Sequence, residues 1–173
     1  MDKAIVLTIR EAKVEDANRL LTMMQQVNKE TDFLIMDENI LSLKPETLAI
    51  EIDYLRESIN NLLLIASTNT KIIGVISVKA EEQFRTAHVG EVGISVLKDY
   101  WGLGVGTMML EEVLFWAKEN GVLFRLELDV QVRNERAVRL YQKMGFKIEA
   151  IMKRGARKED GEFLDVYKMS LLL

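Results

Sequence analysis

The 173-residue sequence contains no cysteine, one histidine and one proline. Without cysteine there is no disulfide, no thiolate metal site and no thiol nucleophile. With His88 as the lone imidazole, a histidine-rich zinc site is excluded, as is any serine–histidine pair not built on that residue. A basic excess is also missing: 23 Lys+Arg stand against 27 Asp+Glu, a net charge of −4. A dedicated nucleic-acid binder normally shows the opposite balance, because it must neutralise phosphates. No window approaches a continuous uncharged apolar run of membrane-spanning length, so no membrane span is expected. Charges are scattered through Met1–Asp16, which removes the apolar core of a signal peptide and makes the cytoplasm the expected location.

What is present is a globular composition, 49% hydrophobic, with no repeat, low-complexity tract or linker. One domain over residues 1–173 follows. A short strand near Val6–Arg10 precedes two helices. Ala17, Leu20, Leu21, Met24 and Val27 share a face of the first. Leu48, Ile52, Leu55 and Ile59 share a face of the second, which Pro45 opens at the position where a missing N–H costs nothing. Leu62–Ser67 and Lys71–Ala80 read as a hairpin, and Ala87–Leu97 as a third strand beside it. Gly104–Asn120 is helical by the spacing of Leu110, Val113, Leu114 and Ala117. Residues 124–132 alternate without a break, apolar at even numbers and polar at odd ones, as a strand with one face in the core. Asn134 caps a helix to Met144, and strands near Lys147–Lys153 and Glu162–Leu171 flank a charged loop with an Asp160-Gly161 turn. The order β-α-α-β-β-β-α-β-α-β-β predicts an α/β domain, a mixed twisted sheet of about seven strands with four helices and antiparallel strands around one parallel pair.

The segment Tyr100-Trp-Gly-Leu-Gly-Val-Gly-Thr107 places three of the ten glycines at alternate positions before a helix. A Walker loop is excluded, because Thr107-Met108 follows the last glycine where a lysine is required. The dinucleotide fingerprint is a weak match, since counting from Gly102 puts Thr107 at its third glycine and the chain-opening βαβ unit is missing. Two readings carry more weight for the residues themselves: ordinary strand-to-helix geometry, or a pyrophosphate cradle in which main-chain N–H groups and the helix dipole meet phosphate oxygens.

Val96-Leu-Lys-Asp-Tyr-Trp-Gly-Leu-Gly-Val-Gly106, followed by Asn134-Glu-Arg-Ala-Val-Arg-Leu-Tyr141-Gln-Lys143-Met-Gly-Phe146, resembles the two motifs of the GNAT superfamily of acyl-CoA-dependent N-acetyltransferases. The order of elements resembles that family's fold over nearly the whole chain, and the C-terminal part is similar to the branch holding ribosomal-protein N-terminal, amino-acid and polyamine acetyltransferases. The resemblance implies a GNAT acyl-CoA N-acyltransferase fold, acetyl-CoA as co-substrate, a primary amine as acceptor, no metal and no nucleic acid. A non-catalytic acyl-CoA-binding homologue is the alternative. Homodimerisation is common in the family, and the polar face Arg125, Glu127, Asp129, Gln131 does not decide it. Cofactor contacts are implied at Ile94, Ser95, Val96, Trp101, Gly102, Leu103, Gly104, Val105, Gly106, Thr107, Asn134 and Lys143. One departure stands out: Trp101 occupies the place of the family's Gln or Arg.

The chemistry then requires a neutral amine, a donor to the developing oxyanion and an acid for the leaving thiolate. The resemblance implies Tyr141 as the acid and a main-chain N–H of Ile94–Val96 as the oxyanion donor. Glu91 is the candidate base, with His88 as its rival. Lys98, Arg133 and Arg139 are further candidates to answer the phosphates, and Glu30, Thr31, Asp32 and Phe33 to line the acceptor mouth.

Overall fold

The computed structural model describes residues 6–34, 39 and 42–173. They form β1 (Thr8–Glu11), α1 (Ala17–Glu30), α2 (Pro45–Glu57), β2 (Leu62–Ser67), β3 (Ile72–Lys79), β4 (Val89–Val96), α3 (Val105–Asn120), β5 (Arg125–Gln131), α4 (Glu135–Lys143), β6 (Lys147–Arg157) and β7 (Phe163–Leu172). The element order is the one the sequence pattern predicts. The strands lie side by side as β1-β2-β3-β4-β5-β7-β6. All neighbours are antiparallel except β4 and β5.

Burial explains the patterns. All six residues of β2 are buried, as expected of a strand covered on both faces. Helices α1 and α2 supply Leu20, Leu48 and Leu55 to one face, beside Val75 of β3. On the other face Met109 of α3 lies over Gly74, where an added Cβ would stand 3.0 Å from its sulfur. In β5, Leu126, Leu128 and Val130 enter the core, while Asp129 reaches across to Lys168 of β7 at 2.9 Å. Strict alternation in this strand is therefore one apolar face and one face of ion pairs.

Several boundaries differ from the sequence expectation. β1 starts at Thr8, and β4 starts at Val89, leaving His88 in the turn before it. In α1 the deeply buried methionine is Met23 rather than Met24, which is half-buried. Ile59 lies beyond the end of α2 and is 70% exposed, because the helix stops at Glu57 and its periodicity no longer applies. β6 runs to Arg157, through an irregularity between Met152 and Ala156 where Arg154 takes φ 55°. The extra residues let charged positions expected in a loop continue as an edge strand.

The feature that positions the site is where pairing stops. β4 and β5 pair only over Val89↔Arg125, Gly90↔Leu126 and Glu91↔Glu127. β3 stays on β4 through Gly74↔Val96, and β7 stays on β5 through Gln131↔Val166. The sheet thus splits into two arms beyond Glu91 and Glu127, each arm held by its outer neighbour.

Candidate active site

The end of the β4 arm turns into the glycine segment. Gly102 and Gly104 both take the left-handed conformation, with φ 77° and 81°, which side chains other than glycine enter at a cost. Gly106 serves differently: an added Cβ would stand 3.1 Å from Leu140, so it lets α3 start close against α4. Gly104 is the N-cap of the sixteen-residue α3 and offers no side-chain cap. The first-turn N–H groups of α3 therefore have no side-chain partner, and they carry the positive end of the helix dipole. At α4 the contrast is direct, since Asn134 Oδ1 accepts from Ala137 N at 3.3 Å.

A cleft of about 360 Å³ opens in front of these groups. Ile94 and Val96 of the β4 arm, Trp101, Gly104, Gly106 and Thr107, and Asn134 and Tyr141 of α4 border it. Tyr141 is 7% exposed and its ring packs on Phe146 with centroids 5.9 Å apart. Its hydroxyl has no hydrogen-bond partner among the described residues, and no buried side-chain polar atom there is left unpaired. The hydroxyl accordingly meets the cleft rather than the protein interior. Burial pushes the phenol well above its ordinary pKa, since the phenolate is the form that desolvation penalises.

Trp101 is anchored through its indole Nε1, which donates to Val96 O at 2.7 Å. The Arg136 guanidinium lies over the indole, 3.6 Å from its centroid. Sequence reasoning missed Arg136. The available signal was a cation in the first turn of a helix, where the dipole disfavours it.

A second chamber, about 440 Å³, lies on the α1–α2 side of the split. It shares Phe33, Leu34, Ile94, Asp129 and Val130 with the first, so the two meet at the parting of β4 from β5. Glu91, Gly93 and Ser95 line it from β4. Glu91 is exposed, and its carboxylate has no hydrogen-bond or ion-pair partner among the described residues. His88, its rival, borders neither chamber.

The segment after α1 straps the split. Glu30 Oε2 accepts from Lys98 N at 2.8 Å beside the β4 arm. On the β5 side, Gln131 Nε2 and Arg133 donate to Asp32 O, each at 3.1 Å, and Arg133 also pairs with the Asp32 carboxylate at 3.0 Å. Of the four residues expected at the acceptor mouth, Phe33 borders both chambers and Thr31 only the first, while Glu30 and Asp32 act as the strap's ties.

Of the sequence-predicted contacts, Ile94, Val96, Trp101, Gly102, Gly104, Val105, Gly106, Thr107 and Asn134 surround the first chamber, and Ser95 the second. Leu103 and Lys143 border neither. Leu103 is 62% exposed, and Lys143 is exposed on the outer side of α4. Arg133 and Arg139 are engaged with Asp32 and Glu135. Among the described residues no group of acidic residues and histidine is placed to hold a metal ion.

A cleft at an uncapped helix mouth, with a second chamber behind it that carries Glu51, Glu91 and Asp129, defines an α/β protein with a two-sided candidate site. Residues 29–146 match the model of the Acetyltransferase (GNAT) family, and the chain belongs to that family. An acetyltransferase of the GNAT family from Streptococcus pneumoniae, of known structure, is 42% identical with a TM-score of 0.94, covering 97% of this chain and 100% of that one. The yncA protein of Salmonella typhimurium, in a structure with its cofactor acetyl-CoA, shares the fold at 21% identity and a TM-score of 0.83, over 96% and 94% of the two chains. L-amino acid N-acetyltransferase AaaT of Escherichia coli is 30% identical over 107 residues, 62% of this chain and 65% of that protein. N-alpha-acetyltransferase 50 of Danio rerio is 30% identical over 90 residues, 52% and 54% of the respective chains. The chain thus spans 65% and 54% of the length of these two curated relatives.

Proposed function

We propose that the chain transfers an acetyl group from acetyl-CoA to a primary amine by direct attack. The observation that carries this reading is the split between β4 and β5, with one chamber on each side and a shared seam. A carrier and an acceptor admitted from opposite sides would meet only there.

The residues fit the carrier. The uncapped first turn of α3, opened by Gly102 and Gly104, suits a diphosphate. Arg136, fixed on Trp101, adds a cation beside it. When bound, acetyl-CoA supplies an electrophilic thioester carbonyl and a thiolate leaving group. Main-chain N–H groups of Ile94–Val96 on the split edge serve the oxygen that gathers negative charge. Tyr141 gives its proton to the departing sulfur. A phenol is ordinarily a weaker acid than a thiol, by about 1.5 pKa units. Burial that raises the Tyr141 phenol also raises a thiol formed beside it, so the proton passes between two groups shifted in the same direction. Glu91 lies three to four residues down the strand from the seam, about 10–13 Å along the backbone, so it takes the amine proton through water. No enzyme nucleophile is needed, in keeping with a chain that has no cysteine.

The relatives differ in the acceptor their names give, an L-amino acid in one case and an N-alpha position in the other. The test is thiol release from acetyl-CoA with a panel of amines, run beside calorimetric binding of acetyl-CoA. Binding with amine-dependent thiol release is the expected result. Binding without release from any amine would make the chain a carrier-binding protein, and absence of binding would overturn the reading at its root. A homodimer, with β6 and the exposed Ile151 and Phe163 as its surface, is tested by light scattering.

A further inference from the structure

The acceptor chamber is lined unevenly. Its walls are Leu20, Met24, Phe33, Leu48 and Leu55 from the helices and strap, facing Val75 on the sheet. Its charges collect at one end. Lys79 is the one cation in the lining among the described residues, and Glu51 holds it at 3.0 Å. Asp129 is held by Lys168 at 2.9 Å. Glu91 stands directly across the strands from Lys79 yet has no ion-pair partner among the described residues. Arg133, which ties the strap to the β5 arm, is engaged with Asp32. Residues 35–41, which follow the strap, contain no lysine or arginine in sequence. Gly93 keeps the floor between Glu91 and Ser95 open, since an added Cβ would meet only Ser77 Oγ, at 3.3 Å.

Resting on the transferase reading above, we infer that the acceptor is an amine whose neighbouring carbon bears a large apolar group and no carboxylate, as the first residue of a peptide does. The walls gain from burying an apolar side chain. Glu91 attracts the incoming ammonium before it loses its proton. A free amino acid would bring a second negative charge into a chamber whose own cation is already neutralised, and would leave that carboxylate unpaired.

The test uses matched acceptors with the full chain and acetyl-CoA: methionine, methioninamide and a methionine-initiated tripeptide amide, with the same tripeptide begun by alanine, lysine or aspartate. The expected kcat/KM is at least about tenfold higher for the amide and the methionine peptide than for free methionine, the size of a screened like-charge contact at partial burial. The aspartate-first peptide falls below the methionine-first peptide by a similar factor. The amide and peptide arms separate small amines from chain termini. Glu91→Gln lowers kcat for every acceptor if Glu91 is also the base, but its selective role reads out separately, as a smaller KM ratio between free methionine and its amide. Acceptor Kd on CoA-saturated protein, by calorimetry, must follow the same order. Free methionine used as well as its amide, or aspartate-first peptides used as well as methionine-first ones, overturns the inference and leaves the transferase standing. Bound acetyl-CoA with no thiol from any acceptor overturns the transferase reading, and this inference with it.

Discussion

Tyr141→Phe separates chemistry from fold more cleanly than any other change in the molecule. The substitution removes one oxygen from a ring that is 7% exposed and packed on Phe146. That oxygen has no protein partner among the described residues, so nothing is left stranded by its loss. The expected change in stability is within about 0.5 kcal/mol. Donor affinity, which the glycine segment provides at the other end of the cleft, is expected to change less than about twofold, well under 1 kcal/mol. Turnover is expected to fall by about 10²–10⁴, the usual contribution of a positioned acid. Thermal melting, acetyl-CoA calorimetry and thiol release on one preparation give all three numbers. Unchanged kcat at saturating acceptor refutes the acid role; a large rise in donor Kd with kcat intact assigns the hydroxyl to binding instead. The raised phenol adds an independent check. A group whose pKa is higher folded than unfolded contributes stability that is complete below the unfolded value and is lost as pH rises toward the folded one. The wild-type protein should therefore lose melting temperature above about pH 10, and Tyr141→Phe should lose less.

Three further outcomes are expected. Gly104→Val places a β-branched residue at φ 81°; melting should show a loss of about 1–2 kcal/mol, and acetyl-CoA Kd should rise at least tenfold by the order of one lost charge-assisted contact. Arg136→Gln, at a guanidinium with no acidic partner among the described residues, should leave melting unchanged and weaken acetyl-CoA binding about tenfold; equal binding would remove Arg136 from the cradle. Asp16→Asn breaks a carboxylate 1% exposed that takes two hydrogen bonds from Arg10, at 2.7 and 2.9 Å, and one from Lys13 N, at a cost of about 3 kcal/mol in denaturant melts. Arg10 holds the Asp16 pKa below its ordinary value, so that stability is present above the ordinary carboxylate range and lost as the solution is acidified; the variant should lack this acid-dependent loss.

How much of this was legible beforehand depends on whether a feature belongs to one segment or to two. The alternation of 124–132, the proline opening α2 and the helix after Gly104 are local, and each appears where the residues put it. Tyr141 and Asn134 were singled out through a family motif carried by one short helix, and both border the first chamber. The end of β4–β5 pairing after Glu91 is a relation between strands about thirty residues apart, and no periodicity in either strand encodes it. The placement of Arg136 over Trp101 is likewise a tertiary event. Its consequence is nonetheless chemical: where the family's polar side chain is missing, the indole carries a neighbour's cation to the same cleft. The choice of Met23 over Met24 in α1 turns on a rotation of 100° about the helix axis, which the surrounding helices and sheet decide.

The split would be a poor reaction site if its arms moved independently, because a displacement of an ångström between carrier and acceptor is costly to rate. Each arm's free end is tied by polar contacts that lie outside the gap itself. Trp101 Nε1 closes on Val96 O at the tip of β4, and the next residue but one, Lys98, gives its N–H to Glu30. At the tip of β5, Gln131, 3% exposed, donates to Asp32 O while its own Oε1 accepts from Arg133 Nε at 2.7 Å. Glu30 and Asp32 are two residues apart, so a single short length of chain fixes the distance between the two tips. The gap is thereby held open by contacts made at the tips of its arms, which leaves its inner edges, the amides of β4 and the chambers on either side, uncovered.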